Sequence, residues 1–134
     1  KKKYEEQENQ KNYEDSHIEN TSLSDLLING VRELGIELDP GEVEKLFSYM
    51  DLIKIWNEKF NLTSIDDDRE FIIKHFLDSL SILSIIKNIE NVDKINMIDI
   101  GTGAGFPAIP LKIILKETNI TMLDAVDKKV KFLN

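Results

Sequence analysis

The residues from Ile95 to Gly105 constrain this chain more than any others. Ile95-Asn96-Met97-Ile98-Asp99-Ile100 is a short, mostly apolar run that passes directly into Gly101-Thr102-Gly103-Ala104-Gly105. An apolar run of that length ended by glycines has the pattern of a buried parallel strand. Ala108 to Leu115 then reads as a helix, Ile120-Thr121-Met122-Leu123-Asp124 as a second strand, and a further helical stretch begins near Asp127. Strand, glycine loop, helix, strand is a βαβ unit, so the fold class is α/β.

The glycines carry the chemistry. They let the backbone turn sharply and come within contact distance of a ligand, which any Cβ would push away. The helix that follows is expected to aim free N–H groups and a positive dipole end at the same spot. Asp124 ends the second strand, 23 residues after Gly101. In nucleotide-binding α/β folds an acid there accepts hydrogen bonds from ribose hydroxyls. Asp99 stands two residues before the first glycine, at the exit of its strand. Three readings compete. Glycines that only build a tight turn would not require an acid at the end of the second strand. A dinucleotide site has Gly-x-Gly-x-x-Gly, and its third glycine would fall at position 106, which is Phe. The spacing Asp-x-Gly-x-Gly-x-Gly looks instead like the first motif of class I S-adenosylmethionine-dependent methyltransferases.

Upstream, the pattern is helical. Ser22-Leu23-Ser24-Asp25 has capping-box spacing, Leu27, Val31 and Leu34 recur at helical intervals, and Gly35 is placed to end the helix. Asp39-Pro40-Gly41-Glu42 is a second start, with Asp39 as cap and Pro40 at the first helical position. Val43, Leu46, Phe47, Met50, Ile53 and Trp56 form one apolar stripe behind it, which places Trp56 in the core. Residues 57–68 read as a polar connection, with Asp67 or Asp68 capping the next helix. Phe71 to Ile89 is densely apolar and fits one long helix or two short ones.

Composition excludes several classes. There is no cysteine, hence no disulfide or thiolate metal site, and a reducing cytoplasm is the natural setting. His17 and His75 lie too far apart in sequence to suggest a metal site. No apolar stretch approaches the ~18 residues of a membrane helix, and the charged, polar beginning is unlike a secretory signal. The formal net charge is -8. Residues 1–22 hold four lysines against six acids, which leaves -6 on the other 112 residues. Bulk electrostatics therefore do not favour nucleic acid, and any RNA contact has to come from local basic patches. The chain opens on Lys1 rather than Met, so its natural start is expected to be missing.

Further stretches resemble the RsmG (GidB) family of bacterial small-subunit rRNA methyltransferases. They are Trp56-Asn57 through Asn61-Leu62-Thr63, His75-Phe76-Leu77-Asp78-Ser79, Ile98 through the glycine loop to Phe106-Pro107-Ala108-Ile109-Pro110, Leu123-Asp124-Ala125, and Lys128-Lys129-Val130-Lys131-Phe132-Leu133. They run in unbroken order over about residues 23–134. The sequence departs from the family mildly at Ala108, where glycine is common, at Asp127, where glycine or a neutral residue is common, and in stopping at Asn134. The near absence of apolar side chains in residues 1–20 predicts a disordered tail over 1–22, and the resemblance implies an N-terminal helical region over 23–92 and the start of a Rossmann-like S-adenosylmethionine-binding domain over 93–134. The remaining strands and helices, with the adenine and target-base walls, are expected beyond Asn134. A non-catalytic fragment serving as a binding or interaction module is the rival reading.

The activity the resemblance implies is methyl transfer to N7 of a guanine in the decoding-region loop of 16S rRNA, free or within the small-subunit ribonucleoprotein. Its cofactor contacts carry over onto Gly101 and Phe106, with Gly103, Gly105, Asp99 and Asp124 around the cofactor. No metal, membrane or catalytic acid–base residue is expected. Asn61, His75 and Asp78 are candidate substrate residues. His75, Asp78 and Ser79 share one helical face at i, i+3 and i+4, either as a polar surface near cofactor or RNA or as a local network fixing the helix against the sheet. Asn61 and Thr63 can instead cap the long helix. Lys128, Lys129 and Lys131 either meet phosphate or form a solvated face.

Overall fold

The computed structural model describes residues 22–134. The expected tail, Ser22 apart, and His17 lie outside the described residues. Helix α1 (Leu23–Glu33) starts where Ser22 accepts the Asp25 N–H at 3.1 Å. It ends at Gly35, whose φ of 75° lets Gly35 N–H reach Arg32 C=O and Ile36 N–H reach Val31 C=O. That double closure satisfies carbonyls a helix end otherwise leaves bare. Helix α2 (Pro40–Phe60) opens with a complete capping box between Asp39 and Glu42. It runs three residues beyond Asn57, into the stretch expected to be a connection. The Trp56 and Phe60 rings stack one turn apart, 5.3 Å between centroids, and Asn61 ends the helix in the left-handed region at φ 46°.

Asp67 caps the next run by accepting the Glu70 N–H at 2.8 Å. The run is unbroken, but it is α-helical at α3 (Asp68–Phe71), π-helical over Ile72–Leu77, and α-helical again at α4 (Asp78–Ile86). It stops short of Ile89, which is exposed. Strands β1 (Asn96–Ile100) and β2 (Asn119–Leu123) pair in parallel, Asn96 opposite Asn119 and Ile100 opposite Leu123. Helix α5 (Ala108–Ile114) connects them, and α6 (Asp127–Leu133) follows β2.

The strands are not buried on both faces as expected. Met97, Asp99, Ile120 and Met122 are half-buried, whereas Ile98 and Ile100 are 66% and 81% exposed. The described helices cover one face of this two-stranded sheet. One continuous apolar cluster crosses the expected boundary at residue 92: Leu46 and Ile53 of α2 and Phe71, Phe76 and Leu80 beyond it join Ala104, Leu111 and Phe132. Each fully buried Leu, Ile or Phe contributes about 1.5–3 kcal/mol, so this cluster holds the helices and the βαβ unit as one packed body.

Candidate functional site

The parallel strands end side by side, and their exits are stitched together. Gly101 and Thr102 both donate to the Leu123 carbonyl, at 2.7 and 3.1 Å. Gly101, Gly103 and Gly105 all have positive φ, at 74°, 61° and 97°, yet they answer different needs. A Cβ on Gly101 would meet nothing within 4 Å, and one on Gly103 would find only the Lys129 ammonium at 4.0 Å. A Cβ on Gly105 would lie 2.5 Å from the Tyr49 hydroxyl oxygen and 2.7 Å from Ile109 Cδ1. Space thus stands open beside Gly101 and Gly103, whereas at Gly105 the packing of Tyr49 and Ile109 leaves no room for a Cβ.

Asp124 organises the loop. Its carboxylate accepts the Val126 N–H at 2.9 Å and the Gly103 N–H at 2.8 Å. Those two donors, helped by the Lys129 charge, hold it below the usual carboxylate range despite some desolvation. An ionised acceptor thus stands at the mouth of a cleft of about 430 Å³ lined by Ile100, Gly101, Leu123, Asp124 and Ala125. Asp99 is half-buried, and its carboxylate accepts the Ala108 N–H at 3.2 Å. That bond changes one expectation. Ile109 N–H is taken by Gly105 C=O at 2.8 Å, and Pro110 has no N–H. The first turn of α5 therefore has its donors engaged inside the protein rather than free for a ligand.

Phe106 turns away from the strands and docks on the helices. Its ring lies parallel to His75, 4.3 Å between centroids and 6° between planes, with Phe71 edge-on at 5.8 Å and Tyr49 tilted at 5.6 Å. His75 Nε2 is hydrogen-bonded to Thr63 Oγ1 at 2.9 Å. Burial pushes the His75 pKa down, partly opposed by the Asp78 charge, so the ring stacks in its neutral form near pH 7.

The family profile described as "GidB: rRNA small subunit methyltransferase G" matches residues 42–134. The protein named "Ribosomal RNA small subunit methyltransferase G" of Acetivibrio thermocellus is 49% identical over 112 residues, which is 84% of this chain and 45% of that protein. Proteins of the same name from Alkaliphilus metalliredigens and Caldanaerobacter subterraneus are 45% and 49% identical, over 81% and 82% of this chain. The chain belongs to this family. It spans a little under half the length, 44–45%, of these relatives.

The remaining family positions separate in space. Asn61 is exposed at the end of α2, which it caps with its backbone in the left-handed region. Thr63 does not cap that helix: its N–H donates to Asn57 Oδ1 at 2.9 Å and its hydroxyl serves His75. His75, Asp78 and Ser79 fall in different environments, and the π-helical stretch ends between the first two. His75 is half-buried, Asp78 exposed and Ser79 buried. Trp56, expected in the core, is only half-buried and lines a surface groove. Sequence reasoning missed Tyr49, whose buried hydroxyl has no hydrogen-bond partner among the described residues. Its spacing gave a signal, three residues after Leu46 and four before Ile53.

Proposed function

We propose that the cleft at the carboxyl ends of β1 and β2 is one wall of an S-adenosylmethionine site, in an enzyme that methylates N7 of a guanine in small-subunit rRNA. The observation that carries this reading is the ionised Asp124 facing Gly101 and Gly103, two positive-φ glycines beside open space. The family membership supports it, as does the rule that open α/β sheets bind ligands outside the carboxyl ends of their strands. The cofactor suits this cradle: Asp124 would accept from ribose hydroxyls, while Gly101 and Gly103 would allow close backbone approach. Asp99, Gly105 and Phe106 would set the shape of the loop. The class I Rossmann-like fold belongs to the same proposal, as does a cytoplasmic setting with rRNA or the small-subunit ribonucleoprotein as partner.

S-adenosylmethionine, when bound, supplies an electrophilic methyl group. Guanine N7 carries an in-plane lone pair and no proton, so no residue of this chain is needed as general base. The protein's work is alignment, a contribution that can reach about 7 kcal/mol or more. The Phe106–His75–Thr63 contacts serve it by fixing the glycine loop against the helices. Asn61 and Asp78, both exposed, are the candidate contacts to RNA.

Calorimetry with S-adenosylmethionine tests the proposal. Binding by this chain that is abolished in Gly103→Asp, which sets a second carboxylate beside Asp124, is the expected result. No heat at millimolar cofactor would overturn it and favour a non-catalytic module.

A further inference from the structure

The end of α2 and the end of α6 frame a groove of about 290 Å³ lined by Ile55, Trp56, Lys59, Phe60 and Lys131. It shares no residue with the strand-end cleft. Its aromatic part is held rigidly: the Trp56 and Phe60 rings stack at 5.3 Å and 26°, and Trp56 sets its edge against Phe132 of the core at 5.6 Å. Both rings are half-buried, and Ile55 beside them is 62% exposed.

Both charged residues that line the groove are lysines. Lys54, Lys74 and Lys116 are tied up in ion pairs, but among the described residues Lys59 and Lys131 form none. Glu58, next to Lys59, lines a different cleft with Lys54 and Asn57. Asp127, one helical turn before Lys131, is exposed and makes no ion pair with it. A fixed aromatic floor with unpaired ammonium groups at its edge is the chemistry that docks single-stranded nucleic acid. Any base can stack on a ring, while lysines meet the backbone. A protein partner's apolar side chain would leave both lysines unanswered.

We propose that this groove holds an unpaired RNA nucleotide, its base against the Trp56–Phe60 surface and a flanking phosphate near Lys59 and Lys131. The inference rests on the reading of the protein as an RNA methyltransferase and adds a docking site outside the cofactor cleft. It also accounts for how a chain of formal charge -8 holds a polyanion: a local basic spot suffices where stacking supplies the rest.

Trp56 is the one tryptophan in the chain, so its fluorescence reports on this groove directly. The 134-residue protein is titrated with an unpaired, adenosine-rich octaribonucleotide and, separately, with a blunt RNA duplex of equal length. The expected result is saturable quenching by the single strand alone. The double variant Lys59→Glu with Lys131→Glu, both at exposed positions, should weaken it roughly tenfold at low salt. It should also flatten the logarithmic salt dependence by about 0.7, the single-strand value for one lost phosphate contact. Equal quenching by the duplex, an unchanged affinity in the double variant, or a Trp56 signal that follows self-association without RNA would each overturn the inference. Calorimetry with S-adenosylmethionine on the same two proteins separates the claims. Intact RNA quenching without cofactor binding leaves the groove standing and removes the proposed function; cofactor binding without quenching does the reverse.

Discussion

Gly105→Ala asks whether the glycine loop is fitted to the helices. At φ 97° an alanine is forced into a region that costs about 1–3 kcal/mol. The new Cβ would stand 2.5 Å from the Tyr49 hydroxyl oxygen and 2.7 Å from Ile109 Cδ1, well inside van der Waals contact. Overpacking of this kind costs about 1–3 kcal/mol. Together the two effects predict a loss of about 2–6 kcal/mol, a large share of the ~5–15 kcal/mol that holds a typical domain. A double-mutant cycle separates them. Tyr49→Phe removes the atom nearest the new methyl and also a buried hydroxyl with no partner among the described residues, which burial keeps protonated. An unsatisfied buried group costs about 1–3 kcal/mol, so Tyr49→Phe alone should be neutral or stabilising. In the Gly105→Ala background it should recover about 1 kcal/mol more than it does in the parent. The backbone strain remains, and the Ile109 tip can rotate aside. Urea unfolding followed by Trp56 fluorescence gives all four stabilities, provided m stays constant. Coupling below about 0.3 kcal/mol would mean that backbone conformation alone governs Gly105, and the packing argument would fail. Gly101→Ala, at φ 74° with no atom within 4 Å, supplies the strain-only comparison.

Asp124→Asn offers an amide NH₂ where one of two N–H donors now finds a carboxylate oxygen, and S-adenosylmethionine affinity should fall about tenfold or more; unchanged calorimetric affinity would remove Asp124 from the site. His75→Phe keeps a ring against Phe106 but loses a group whose folded pKa lies below the ordinary 6.5. As pH falls through 6.5 the unfolded chain takes up the proton first, so the stability His75 allows is full above that value and declines toward its folded pKa. The stability of the parent relative to His75→Phe should therefore drop between pH 7.5 and 5, and a constant difference across that range would contradict it. Phe76→Ala empties a fully buried site and should cost about 3–5 kcal/mol. Because the core is continuous, far-ultraviolet circular dichroism and Trp56 fluorescence should report one shared transition; two separate midpoints would show that helices and sheet do not fold together.

How far the chain could be read depended on the range of the interaction. Ser22, Asp39 and Asp67 bond to N–H groups three residues away, so their caps are written locally. The order of strand, glycine loop, helix and strand was legible for the same reason. The π-helical stretch was not, because helical periodicity in Phe71–Leu80 shows which residues are apolar and not how the turns widen to place His75 over Phe106. Ile98 and Ile100 show a further limit. Their apolarity says that they can be buried, but the side on which other chain lies is a property of the whole fold. Trp56 was misplaced because a stripe on a 21-residue helix continues past the point where a neighbour still covers it. The glycine loop is the sharpest case. Glycine is the answer both to a backbone that turns through the left-handed region and to a tyrosine 56 positions earlier that must fit. One motif therefore carries two demands, and only the space around each missing Cβ tells them apart: open at Gly101 and Gly103, filled by Tyr49 at Gly105.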